Sequence, residues 1–393
     1  MQEIALLIEL IRAILCQSDK LTYSKECDST ELMKMIRRQS LVSFCWPFIA
    51  KQDDDTWKLI AEQLENDYNK ALHKALIQHI EIQSLLDDME KREMDCLPLK
   101  GWIMRDYYSD PTLRSMTDFD VLLKQFDEKQ LKTWMESLGY EADHLGDEHH
   151  DVYIKKPYTV VELHKSLSDE KVEKEIPQID EWLENIWGQC ALMDGKQHIY
   201  QLSKEDFYIY HLIHMYKHFR ASGVGIRPLV DIYVFLKKEE KNLDWKYADQ
   251  VLEELRLKQF EQTMKSLSKK CFSEKQIVLN EDDKTLINFL VGAGLFGDKR
   301  TGTTLKVVTA KQESHIKRRI SVALQTIFQP AKVLDSRYPI LKRYPVMLPF
   351  IWIIRLFRVV FKEHYKITLL KEASEKEEYY KMREIFKIAG IEK

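Results

Sequence analysis

The chain has 393 residues, 45% hydrophobic and 31% charged, with a net charge of −3, a composition ordinary for a folded soluble protein and a length that calls for more than one core. Only 12 Gly and 10 Pro exclude a linker-rich chain and point to a helix-rich one. The cysteines (Cys16, Cys27, Cys45, Cys96, Cys190, Cys271) are scattered with no C-x-x-C pair, which argues against a disulfide framework or a zinc site and fits thiols kept reduced in the cytoplasm.

Taken in chain order, "MQEIALLIELIRAIL" carries Glu3, Glu9 and Arg12 at helical spacing, so it predicts an amphipathic helix rather than a signal peptide. Residues 1–68 read as an N-terminal helical region. The helical pattern then continues to about residue 95, with Leu72, Leu76, Ile80 and Leu85 as its apolar stripe. Within 69–200 the period changes. "CLPLK" predicts a short strand, "GWIMRDYY" a short helix and "FDVLLK" a second strand. "DEKQLKTWMESLG" predicts a helix closed by Gly139, and "DVYIKK" and "TVVELHK" a hairpin of strands. Residues 201–393 return to helices, at 204–220, 228–239, 245–267 and 282–293, with an apolar helix near 346–361. The expected fold is therefore α+β, a small mixed sheet flanked by N- and C-terminal helical regions.

The chemistry concentrates in the middle region. Asp118 and Asp120 stand at i and i+2 where a strand begins, so both carboxylates project to one face. Side by side they repel unless a cation sits between them, and oxygen donors suit Mg²⁺. "TVVELHK" puts Glu162 among apolar residues; if that strand pairs beside 119–124, Glu162 is a third carboxylate. Three acids can hold two Mg²⁺ ions, the clamp for in-line phosphoryl or nucleotidyl transfer. Ahead of them, Gly101 lets the backbone approach a phosphate, a helix start offers amides, and Lys100 and Arg114 supply positive charge for a triphosphate. The acids also suit a turn and cap role in "SMTDFD", and Glu162 alone suits the outside of a hairpin.

The ordered set "LPLKGWIMRDYYSDPTLRSMTDFDVLLK", "VVELHK" and "HLIHMYKHFRASGVGIRPLVDIYVFL" resembles the uncharacterised bacterial nucleotidyltransferase family of the DNA polymerase β-like superfamily, over about residues 70–240. The superfamily pattern is a Gly-Ser turn, Asp-x-Asp/Glu and a third acid on a later strand. Here Trp102 follows Gly101 where the serine belongs, and the interval from Gly101 to Asp118 is long. The resemblance implies a polymerase β-like core and a transfer of NMP from a nucleoside triphosphate, ATP in the first instance, to an acceptor hydroxyl. The acceptor is open among a small molecule, a sugar, a protein and RNA. The resemblance also implies that the helix bearing His218 and the turn bearing Arg227 and Asp231 close over the nucleotide; a plain helix-start pair is the other reading of Arg227 and Asp231. His164, on the face of Glu162, serves either the nucleotide or a structural bond.

The remaining features admit simpler readings. His211, His214 and His218 span two helical turns, too far to converge on one zinc. "DEHHD" at 147–151 reads as a solvated loop. Between 311 and 371 there are 13 Lys and Arg against Glu313, Asp335 and Glu363, a basic segment suited to RNA, to peripheral membrane contact or to a solvated face. Arg355 and Arg358 interrupt the apolar run near 346–361, so it does not span a membrane; it is either an interfacial helix or a buried cover. An RNA-directed enzyme and a degraded nucleotide-binding regulatory module are the alternatives to the small-molecule enzyme.

Overall fold

The computed structural model describes residues 2–21, 27–145, 150–168, 176–275, 278–294, 305, 324, 328–334, 337–338, 340–361 and 376–391. They fall into two compact units, Met1–Tyr216 with Ile226–Lys284, and Lys217–Gly225 with Thr285–Lys393.

The first unit begins with helices α1 (Gln2–Leu15), α2 (Ser29–Arg38), α3 (Val42–Ile49) and α4 (Asp55–Lys91). Asp28 and Asp54 cap α2 and α4, each accepting two backbone N–H groups of the first turn. Helix α4 runs unbroken for 37 residues across position 68 and buries Trp57, Ile60 and Leu64 near its start and Ile82, Leu85, Leu86 and Met89 near its end. Leu76 and Ile80, expected on the inward stripe, are 49% and 66% exposed. The reason is geometric: steps of four residues advance about 40° each, so the row 72–76–80 drifts off the packed face.

Five strands follow: β1 (Cys96–Pro98), β2 (Phe119–Leu123), β3 (Glu141–His144), β4 (His150–Lys155) and β5 (Thr159–His164). They form a mixed sheet in the order β1-β2-β5-β4-β3, with β2 and β5 parallel and the other neighbours antiparallel. Phe119, Val121, Leu123, Tyr153, Val161 and Leu163 pack on Ile82, Leu85 and Met89 of α4 and on Leu131, Trp134 and Met135 of α6 (Glu128–Ser137). Because side chains alternate along a strand, this core sends Asp120, Glu162 and His164 to the opposite face. A one-turn helix, α5 (Lys100–Met104), leaves the end of β1, and the Leu99 N–H donates to the Asp120 carbonyl at 3.0 Å. The mixed sheet between helical flanks is the expected fold class.

Short elements not read from the sequence come next: α7 (Pro177–Glu184) and a two-stranded ribbon, β6 (Cys190–Leu192) with β7 (Tyr200–Leu202). Helices α8 (Lys204–Ala221), α9 (Arg227–Glu239), α10 (Trp245–Glu254) and α11 (Lys258–Phe272) follow. The N-terminal helices pack back on them, with Cys16 Sγ donating to the Phe272 carbonyl and Lys237 Nζ to that of Leu15. The single helix expected over 245–267 is two. Arg256 adopts φ 57°, its N–H donates to the Glu253 carbonyl, and the Leu257 N–H donates to Leu252. That is a Schellman stop, built on arginine where glycine is usual.

The second unit contains most of α12 (Glu281–Ala293), together with α13 (Leu348–Phe361) and α14 (Lys376–Ile388). Leu334, Leu341 and Ile351 form a small core there, and Phe219 meets the rings of Phe289 and Phe386. Phe350, Ile353, Ile354, Leu356 and Phe357 of α13 are exposed, so the helix is not the buried cover that was one of its two readings. No described helix is long and apolar enough to cross a membrane. Much of the basic segment 311–371, including Lys311, Lys317, Arg318, Arg319, Lys362 and Lys366, lies outside the described residues, as do Asp147, Glu148 and His149.

Arg256→Gly should raise stability by about 0.5–1 kcal/mol, because glycine takes the left-handed conformation without the clash an L side chain meets. The shift in urea midpoint measures it, and an unchanged or lowered midpoint contradicts the Schellman assignment.

Candidate active site

The parallel register sets Asp120 opposite Glu162 and Leu122 opposite His164. This is the pairing that a third carboxylate required. His164 Nε2 donates to Asp120 Oδ1 at 2.8 Å, and Lys100 Nζ stands 3.5 Å from Asp120 Oδ2. Glu162 Oε2 lies 3.7 Å from His164 Nε2 and 3.8 Å from His150 Nε2. One donor atom each from Asp120, Glu162 and His164 falls within 4.8 Å of the others. Asp118, just ahead of β2, is half-buried and lies outside this tight group, although its charge acts on both other acids.

The electrostatics follow from crowding. Burial pushes Asp118 up, and repulsion from Asp120 adds to it. Burial and then repulsion from Asp120 and Asp118 push Glu162 up to about 7. For Asp120, burial acts upward but Lys100 and His164 outweigh it, and the group is held well below the usual carboxylate range. Burial likewise opposes the Lys100 charge, and Asp120 more than offsets that, so the ammonium titrates above its ordinary value. Lys100 stands at φ 32°, a backbone state that costs an L residue free energy and aims its side chain at Asp120.

The residues expected on the phosphates are arranged differently from one another. Arg114 is 8% exposed and gives Nε and Nη2 to Asp231, itself 1% exposed, at 2.8 and 2.9 Å; Tyr108 Oη donates to the same carboxylate at 2.7 Å. Burial opposes the Asp231 charge, yet Arg114 pulls it down to about 2. The spacing of four between Arg114 and Asp118 thus conceals a structural ion pair with a residue far along the chain. Gly101 has a local reason as well: a Cβ there would meet Arg114 Nη1 at 3.1 Å and Met116 Sδ at 3.3 Å. Arg227 donates from Nη1 to the Ser115 carbonyl at 2.9 Å, while its Nε is buried without a partner. His211 is buried against the Pro228 carbonyl at 3.3 Å, and His218 is exposed and belongs to the second unit.

Three neighbours escaped sequence reading. His150 opens β4 opposite His164 rather than lying in the expected loop; the alternation in "HDVYIKK" was the available signal. Tyr210 of α8 is buried beside Lys100 and Asp120, and burial raises its hydroxyl. It helps line a cavity of about 280 Å³ with Leu99, Lys100, Ile103, Tyr107 and Phe207. Lys74 of α4 is half-buried; burial lowers its pKa, and the Asp118 charge acts against that.

A donor set rich in carboxylate oxygen, with two of its acids pushed up by burial and by repulsion from Asp120, fits a hard divalent cation, whose charge offsets both. The donor atoms that converge are those of Asp120, Glu162 and His164, and Asp118 stands two residues before Asp120 in the chain. Residues 25–273 match the model of a family described as uncharacterised nucleotidyltransferase. No curated protein and no solved structure matches the chain.

Two outcomes test the geometry. Asp231→Ala should cost about 3–5 kcal/mol in urea unfolding by leaving the Arg114 charge buried and unpaired, with much of the loss recovered in Arg114→Met/Asp231→Leu. Glu162 tests the crowding. Its folded pKa is raised, so its contribution is fully present below the ordinary carboxylate value and is lost as pH rises through about 7. Without metal, the wild type should therefore lose stability between pH 5 and 8 that Glu162→Gln does not lose; parallel curves would refute the crowding.

Proposed function

The chain belongs to the uncharacterised nucleotidyltransferase family, and from that premise we propose that it is a Mg²⁺-dependent enzyme moving NMP from a nucleoside triphosphate, ATP in the first instance, to an acceptor hydroxyl. The observation that carries this reading is the Asp120–Glu162 register with Asp118 beside it.

In the reaction the acceptor hydroxyl loses its proton to solvent, its oxygen bonds to the α-phosphorus, the bond from that phosphorus to the bridging oxygen breaks, and pyrophosphate leaves with the electron pair. When bound, two Mg²⁺ ions would lower the pKa of the acceptor hydroxyl and neutralise the leaving group. The chain supplies the rest. Asp118, Asp120 and Glu162 gather negative charge at one point, and His164 fixes the rotamer of Asp120. Lys100 brings a permanent positive charge to the edge of the cluster, within reach of a phosphate oxygen. Gly101 keeps the first turn of α5 tight against Arg114. Arg114 and Asp231 hold the segment that leads into β2, and Arg227 stands on the same segment at Ser115.

Asp118→Asn, Asp120→Asn and Glu162→Gln should each lower Mg²⁺-dependent pyrophosphate release from ATP by about 10²–10³-fold without unfolding the chain, and Lys100→Ala should lower kcat/KM by about 10–100-fold. The assay uses each of the four triphosphates with pools of small-molecule, sugar, protein and RNA acceptors. Wild-type turnover in any of the acid variants would sink the reading. Metal-dependent ATP binding with no turnover on any pool would point to a nucleotide-binding regulatory module instead.

A further inference from the structure

Helix α13 is apolar on two sides, one packed in the second unit and the other exposed. Ile351 packs with Leu334 and Leu341, and Leu348, Trp352, Tyr338 and Met347 surround them. That side is fastened: Trp352 Nε1 donates to the Gln329 carbonyl at 2.8 Å, and Arg355 Nη2 donates to Gln329 Oε1 at 2.8 Å. The Trp352 ring also meets Phe328 edge-on at 5.3 Å. With the rotation of the helix fixed, Phe350, Ile353, Ile354 and Phe357 stand on the other side, each between 52% and 59% exposed. Spaced i, i+3, i+4 and i+7, they form one continuous stripe. Val346, in the turn that leads into the helix, is 78% exposed and prolongs it.

A monomeric protein rarely leaves such a row of apolar side chains in water, and the row marks a surface that another body covers. Charge identifies that body. Between Asp335 and Glu363 the sequence has no acid, whereas Arg337, Lys342, Arg343, Arg355, Arg358 and Lys362 are basic. Arg343 and Arg358 are exposed, and Arg358 borders the stripe one turn beyond Ile354. A second copy meeting this face across a two-fold axis would bring like charges together at the rim. RNA would satisfy the arginines but would leave the aliphatic Ile353 and Ile354 in water. An anionic bilayer surface accommodates both kinds of side chain. The length agrees: 14 residues extend about 21 Å, short of the roughly 30 Å hydrocarbon core, so the helix lies along a bilayer rather than across it.

We propose that α13 is an interfacial helix that docks this protein on an anionic phospholipid surface. The stripe enters the boundary between headgroups and acyl chains, and the basic side chains at its rim engage lipid phosphates. Binding of this kind is reversible, set jointly by the apolar area buried and by attraction to anionic lipid. It uses no residue of the acid cluster and stands apart from the nucleotidyltransferase reading.

The test is co-sedimentation of the full chain with vesicles of phosphatidylcholine alone, and of phosphatidylcholine with one-third phosphatidylglycerol. The wild type should bind the anionic vesicles at least about tenfold more tightly than the neutral ones, and added salt should weaken that binding. Phe350→Gln/Phe357→Gln should lower affinity for anionic vesicles at least about tenfold, with a melting temperature close to wild type because both rings are exposed. Phe350→Leu/Phe357→Leu should keep most of the binding. Arg343→Gln/Arg358→Gln should lower affinity about tenfold on anionic vesicles only. A wild type that ignores vesicles, that binds neutral and anionic vesicles equally, or that binds no better than Phe350→Gln/Phe357→Gln overturns the proposal. Sedimentation velocity without lipid checks the nearest rival: a wild-type dimer that Phe350→Gln/Phe357→Gln converts to a monomer gives the face to a second copy and overturns it too.

Discussion

Two carboxylates set opposite each other across a parallel strand pair are an unfavourable arrangement, and the first unit is organised around tolerating it. Asp120 and Glu162 come together because β2 and β5 are neighbours in register. The apolar members of the same strands hold that register by packing on α4 and α6. Lys100 arrives at the other edge because β1 pairs with β2 and ends where Asp120 begins. His164 arrives because it lies two residues beyond Glu162 on the same face. Each of these partners is thus delivered by the backbone geometry that creates the repulsion, and neither depends on a distant loop.

Around this centre lies a second layer of charge with a different task. The Arg114–Asp231 pair is sealed from water and bidentate, and Tyr108 adds a third hydrogen bond to the same carboxylate. It fastens the segment between α5 and β2 to helix α9, which is why Gly101 must leave room for a guanidinium. Buried pairs of this kind add little net stability, but they penalise any arrangement that separates them. The approach to Asp118 is therefore held in place by a residue more than a hundred positions later in the chain.

How far the sequence was readable follows from the range of the interactions concerned. The strands, the paired acids and the place of Glu162 were legible because alternation is a local signal with a period of two. The α4 stripe was misread at Leu76 and Ile80 because steps of four drift on a helix of 3.6 residues per turn. The stop at Arg256 was hidden because its usual marker, glycine, is absent. The true partner of Arg114 was not legible at all, since a spacing of four along the chain says nothing about a helix beginning at Arg227. His150 reads as part of a solvated loop because "DEH" precedes it, yet it opens β4.

The alternation that splits the sheet into an apolar face and an acid face also acts as a check on assembly. Sliding β5 by one residue along β2 would turn Val161 and Leu163 outward and drive Glu162 and His164 into the packing of α4 and α6. A chain with a displaced acid cluster would thereby lose its core, and only correctly registered molecules would be long-lived. Quality control of the acid cluster is in this sense delegated to hydrophobic packing: molecules that survive unfolding and proteolysis are those whose carboxylates already stand together.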